Sequence, residues 1–156
     1  DHRDLHLSIR RQRQMCIRDR ATVRYFDQDR ARAGLPLDVA ALVDSLTPKG
    51  AGVQLINLSR RETRHLIVQA GAFGEHQFTE VSFDQEDQPE LGRSPYKWMY
   101  EPYEKVPKRV KLDSKYLAVE LPPNTSIRLN LGMRRYVKTQ SYAFPWHGGK
   151  IPVPFQ

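Results

Sequence analysis

Apolar and polar positions alternate most regularly toward the C-terminal end of the chain. Leu117, Val119 and Leu121 alternate with Tyr116, Ala118 and Glu120, and after Pro122-Pro123-Asn124-Thr125 the residues Ile127, Leu129, Leu131 and Met133 alternate with Arg128, Asn130, Gly132 and Arg134. Successive side chains of a strand point to opposite faces, so the pattern predicts two strands, each with one buried face. The prolines cannot donate to a central ladder and belong to the connection. Upstream, 53–58 and 63–70 are nearly continuous in apolar character, which predicts interior strands separated by a polar turn at 59–62. Gly71-Ala72-Phe73-Gly74 interrupts them, and 75–83 resumes with Phe78, Val81 and Phe83. The step from 78 to 81 breaks period two and predicts a bulge near Thr79-Glu80. Residues 84–90, with four acids and no base, are expected to form a solvated loop.

One stretch reads differently. Val39, Leu42, Val43 and Leu46 are spaced i, i+3, i+4 and i+7 behind Leu35-Pro36-Leu37-Asp38, and Pro48 and Gly50 follow. This predicts a short amphipathic helix over about 38–46, with Asp38 as its N-cap. Several short strands with turn signals between them then predict an all-β fold, an antiparallel β-sandwich of jelly-roll type with one short N-terminal helix. The expected organisation is a linker with the helix at 21–50, the sandwich at 51–144, and an extended Pro-rich tail at 145–156.

The chain has 156 residues, 39% hydrophobic and 28% charged, which suits one globular domain and disfavours wholesale disorder. No apolar run approaches the ~18 residues of a spanning helix, and no apolar core of a signal peptide follows the basic start. A single cysteine excludes an internal disulfide and a Cys-based zinc site. Residues 1–20 hold six bases and three acids, and Gln14-Met15-Cys16-Ile17-Arg18-Asp19-Arg20 resembles translated sequencing-adapter read-through from environmental DNA. The expectation is a non-native or disordered segment, with the native chain starting near Ala21 as a fragment of a longer protein. Without it the charge falls from +7 to +4, a solvated surface rather than a nucleic-acid footprint.

Around Val53-Gln54-Leu55-Ile56-Asn57-Leu58-Ser59, and again from Val119-Glu120-Leu121-Pro122-Pro123-Asn124-Thr125-Ser126 into Ile127-Arg128-Leu129-Asn130-Leu131, the chain resembles the C-terminal β-sandwich domains appended to glycoside hydrolases and related carbohydrate-active enzymes. The resemblance implies a non-catalytic accessory domain that packs on a catalytic domain or touches glycan. It implies two partners, an upstream catalytic domain not contained in this chain and a polysaccharide. No cofactor, membrane or nucleic-acid partner is expected.

Aromatic spacing gives the candidate glycan site. Tyr96, Trp98 and Tyr100 share one face of an extended segment, with Tyr103 close behind and Trp146 in the tail. Sugar C–H faces stack on such rings, although the same rings equally suit a core or an interface. The competing readings are a small metal-dependent enzyme using His65, Glu75, His76 and His147, and a protein-interaction module. The first needs about three convergent ligands. The bland reading makes His65 a partly exposed strand residue and Glu75-His76 a loop-end pair bonded to the glycine-rich turn. No catalytic residue is assigned.

Overall fold

The computed structural model describes residues 23–86 and 105–147. Its strands are β1 (Val23–Asp27), β2 (Arg32–Ala33), β3 (Val39–Thr47), β4 (Gly50–Asn57), β5 (Arg64–Ala70), β6 (Gln77–Glu86), β7 (Lys105–Ser114), β8 (Tyr116–Leu121) and β9 (Ser126–Arg134). They form two antiparallel sheets, ordered β2-β1-β5-β8 and β3-β4-β9-β6-β7. The all-β expectation is met. Three of the pairings nest inside one another: β6 with β7, β5 with β8, and β4 with β9.

One apolar cluster draws on both sheets. Leu66, Val68, Leu117, Val119 and Leu121 come from the four-stranded sheet, and Val53, Leu55, Phe78, Val81, Leu129 and Leu131 from the five-stranded one. Most are fully buried. Burying one such side chain contributes about 1.5–3 kcal/mol, so this shared cluster is the main stabilising element. The strands predicted as interior, β4 and β5, each have a neighbour on both sides. The predicted bulge is present, with register shifting between Phe78 and Glu80 against both β7 and β9.

Residues 38–46 are not a helix. They form β3, in which Leu42 and Leu46, the residues that supplied the helical spacing, are 53% and 44% exposed. Val39, Ala41 and Val43 turn to the core at period two, and pairing with β4 overrides the helical pattern. Asp38 has a φ of 62° and is no N-cap; its carbonyl instead accepts the Leu58 N–H at 2.7 Å. Where Pro48 and Gly50 were expected to follow a helix, Pro48 and Lys49 are a two-residue hairpin connection between the paired Thr47 and Gly50. Residues 23–47 supply β1, β2 and β3 to the sheets.

Two further differences follow from edge chemistry. β6 runs on to Glu86, inside the stretch expected as loop, and pairs there with β7. β7 reads as a basic cluster because it is the edge of its sheet, where Lys105, Arg109 and Lys111 are exposed, Lys108 is half-buried and Pro107 is tolerated. Its Val110 and Leu112 still pack on the core.

After β9 the chain first bonds to the β3–β4 hairpin, where Arg135 Nη2 donates to the Thr47 carbonyl at 2.9 Å, and it reaches the four-stranded sheet at Phe144 and Trp146. Phe26, Ile67 and Tyr116 form a second buried cluster on the side opposite the shared core, and Phe144 packs against it. Phe26 meets the ring of Phe144 edge-on at 5.8 Å and that of Trp146 at 6.0 Å. Phe144 and Trp146 stack at 5.1 Å beside a 3-10 turn at Pro145–His147.

Candidate binding surface

Three adjacent transverse rows lie on the face of the five-stranded sheet turned away from the core. The pairing sets out Leu42, Gln54 and Arg128 in one; Ser45, Gly52, Asn130, Ser82 and Arg109 in the next; and Thr47, Gly50, Gly132, Glu80 and Lys111 in the third. Glycine in a strand interior marks a close approach, and Gly52 has a specific one. A Cβ there would strike the ends of Asp44, Ser45 and Arg128, so the absent side chain leaves room for an ion pair across the strand.

That pair is built on two strands. Arg128 on β9 donates from Nε to Asp44 Oδ2 at 2.6 Å and from Nη2 to Oδ1 at 2.9 Å. Nη1 donates to Asn130 Oδ1 at 2.6 Å, and the Asn130 amide group also carries two N–H donors. Two parallel bonds fix a guanidinium and a carboxylate in one geometry. Arg128 holds the Asp44 carboxyl below its ordinary value, mainly through these bonds, and is itself pushed up by them. Nearby, Gln54 Nε2 donates to Ser126 Oγ at 3.4 Å. The result is a locally neutral platform that offers donors and acceptors side by side, with the exposed Leu42 next to it. Such a set pairs with hydroxyl groups, each of which donates once and accepts.

The expected site residues lie elsewhere. Tyr96, Trp98, Tyr100 and Tyr103 fall outside the described residues. Trp146 is 37% exposed, with one face stacked on Phe144. His65 is a half-exposed strand residue whose Nδ1 lies 3.0 Å from Asp29 Oδ1. Glu75 and His76 are buried together, His76 Nε2 being 3.7 Å from Glu75 Oε1. His147 sits edge-on to Phe144 at 5.8 Å. Among the described residues no group of three or more His, Cys, Asp or Glu side chains is arranged to hold a metal ion.

Glu75 and His76 serve the turn at 71–76. Gly71 has a φ of 85°, and a Cβ on it would run into the Glu75 carboxyl. Glu75 Oε2 accepts the Phe73 N–H at 2.8 Å. The His76 ring accepts the Tyr136 N–H at Nδ1, at 3.1 Å. Asp44, Arg128 and Asn130 were not singled out. The helical reading of 38–46 hid Asp44, while Gly52 between paired strands was the available signal. No family model, curated protein or solved structure matches the chain.

Proposed function

We propose that the chain is a non-catalytic accessory module of a carbohydrate-active protein, its two sheets packed as a jelly-roll-like β-sandwich, and that it contacts glycan through the open face of the five-stranded sheet. The nested pairs β4–β9, β5–β8 and β6–β7 support the jelly-roll reading, since a two-stranded ribbon rolled on itself produces such nesting. The shared apolar cluster supports face-to-face packing of the sheets. The contact surface rests on one asymmetry. The four-stranded sheet is capped by Phe144 and Trp146, whereas the five-stranded sheet leaves Asp44, Arg128 and Asn130 on its outer face.

The platform fits a neutral or weakly acidic polysaccharide. Arg128 and Asn130 donate to ring hydroxyls, Asp44 accepts from them, and Arg109 and Lys111 at the far end of two rows favour a sugar carboxylate. Affinity electrophoresis through gels containing a neutral β-glucan, xylan or pectin tests this. The expected result is retardation that saturates with at least one polysaccharide and is lost in Arg128→Ala while the thermal midpoint is retained. Unretarded migration in every gel, or retardation equal in Arg128→Ala, overturns the reading.

A further inference from the structure

The segment that follows β9 is held to the turn at 71–76 by four backbone N–H groups. Val137 and Lys138 donate to the Glu75 carbonyl at 3.0 and 3.2 Å, and Ser141 donates to that of Phe73 at 2.8 Å. The fourth donor, Tyr136 N–H, goes to a side chain, His76 Nδ1, at 3.1 Å. An N–H can be accepted only by a ring nitrogen with a lone pair, so this bond requires neutral His76 with its proton on Nε2. Tyr136 sits at a φ of 56°, a left-handed conformation that is costly without glycine and needs such a tie.

The surroundings favour the neutral ring. His76 is 4% exposed, and burial, the largest influence, pushes its pKa below the ordinary 6.5. Glu75 opposes this and Arg135 reinforces it. The Tyr136 ring stands edge-on to the imidazole at 5.1 Å, and Lys115 passes beside Gly74 and over the ring of Tyr116. Glu75 lies on the Nε2 side, so its charge does nothing to replace the bond at Nδ1.

We propose that His76 is an acid-sensitive latch: neutral, it holds Tyr136 and the segment 135–147 against the four-stranded sheet; protonated, it sets N–H against N–H and lets that segment lift from Phe26 and Ile67. A group whose pKa folding has lowered contributes fully above its unfolded value of about 6.5, and that contribution is lost as pH falls toward and through the folded value. The latch therefore holds at neutral pH and loosens on the acid side. Release uncovers the aromatic patch while leaving the shared core intact.

Trp146 reports the event. In a Trp98→Phe, His147→Gln background the emission comes from one indole with no titrating ring next to it in sequence. Acrylamide quenching is followed from pH 8 to pH 4, so that the scan passes well below the ordinary 6.5 from which burial lowers the His76 pKa, with far-UV circular dichroism alongside. The expected result is a rise of about twofold in the quenching constant on the acid side without loss of strand signal, absent from His76→Asn, whose amide oxygen accepts the same N–H without titrating. Constant quenching in the background, or an equal rise in His76→Asn, overturns the latch. If His76→Asn does not fold, hydrogen exchange in the native chain decides. Selective acid loss of protection at the Tyr136 amide relative to Leu66 supports the latch, and unchanged relative protection overturns it.

Discussion

Asp44 and Arg128 lie 84 positions apart in the chain and meet in a two-point ion pair over Gly52, at 2.6 and 2.9 Å. The pair ties the edge strand β3 to β9 across β4, through side chains alone. Its carboxylate has a lowered pKa, so its contribution to stability is complete above 3.8 and disappears as pH falls through the folded value. Asp44→Asn is therefore expected to be slightly less stable than the native chain at neutral pH, with the gap closing in acid and narrowing in high salt. Urea midpoints at neutral pH, at pH 3 and in 1 M salt check both dependences.

Gly50 and Gly52 sit two positions apart on β4 and should respond differently to alanine. A Cβ on Gly50 would strike the Leu131 carbonyl, which belongs to the ladder and cannot turn away. At Gly52 the obstacles are the ends of Asp44, Ser45 and Arg128, which can. Overpacking against backbone costs about 1–3 kcal/mol, so Gly50→Ala should lower the urea midpoint clearly. Gly52→Ala should lower it less and should abolish the glycan retardation proposed for the platform.

Asn57 closes one end of the sheets. Its Nδ2 donates to the carbonyls of Glu62, Leu121 and Pro122 at 2.9, 2.9 and 3.1 Å, and its Oδ1 accepts the Ser59 N–H at 3.0 Å. The side chain is buried, so Asn57→Ala strands these groups and should cost about 2–3 kcal/mol by chemical denaturation. Asn57→Asp should be worse at neutral pH, because it turns a carboxylate toward three carbonyl oxygens.

Phe144 and Trp146 cap the outer face of the four-stranded sheet. Phe144→Ala should cost about 1–2 kcal/mol, less than a fully buried ring, and should raise binding of an apolar dye by opening Phe26 and Ile67 to solvent. Trp146→Ala should behave likewise and leave polysaccharide retardation unchanged. The combination of dye fluorescence and gel mobility checks both.

The strands most legible in the sequence are β9, whose two faces differ, β8, whose Tyr116 and Ala118 are buried as well as Leu117, Val119 and Leu121, and the interior strands β4 and β5. Their apolar residues meet the shared core directly, so pattern and packing agree. β3 carries a helical spacing because Leu42 is an exposed apolar residue on the outer face, and the bulge between Val43 and Ser45 sets Leu46, also exposed, on the opposite face beside Ala51. β7 was missed because an edge strand is protected by its charges, and the same lysines that guard it erase the alternation. The platform was illegible for a related reason. Asp44, Arg128 and Asn130 are unremarkable polar residues until sheet order brings β3, β4 and β9 side by side.

The nesting of the ladders also governs the order in which the chain can gain structure. Of the three nested pairs, β6 and β7 are the closest in sequence, and their contact brings the ends of β5 and β8 together, whose pairing in turn shortens the gap between β4 and β9. Each closure then costs only the entropy of the chain left open by the one before, rather than that of the whole separation. With most contacts long-range in sequence, folding is expected on the slow side, in milliseconds to seconds, and to proceed from the innermost of the nested pairs outward. The segment 135–147 docks on a sheet that must already exist, so its rings seal the molecule last.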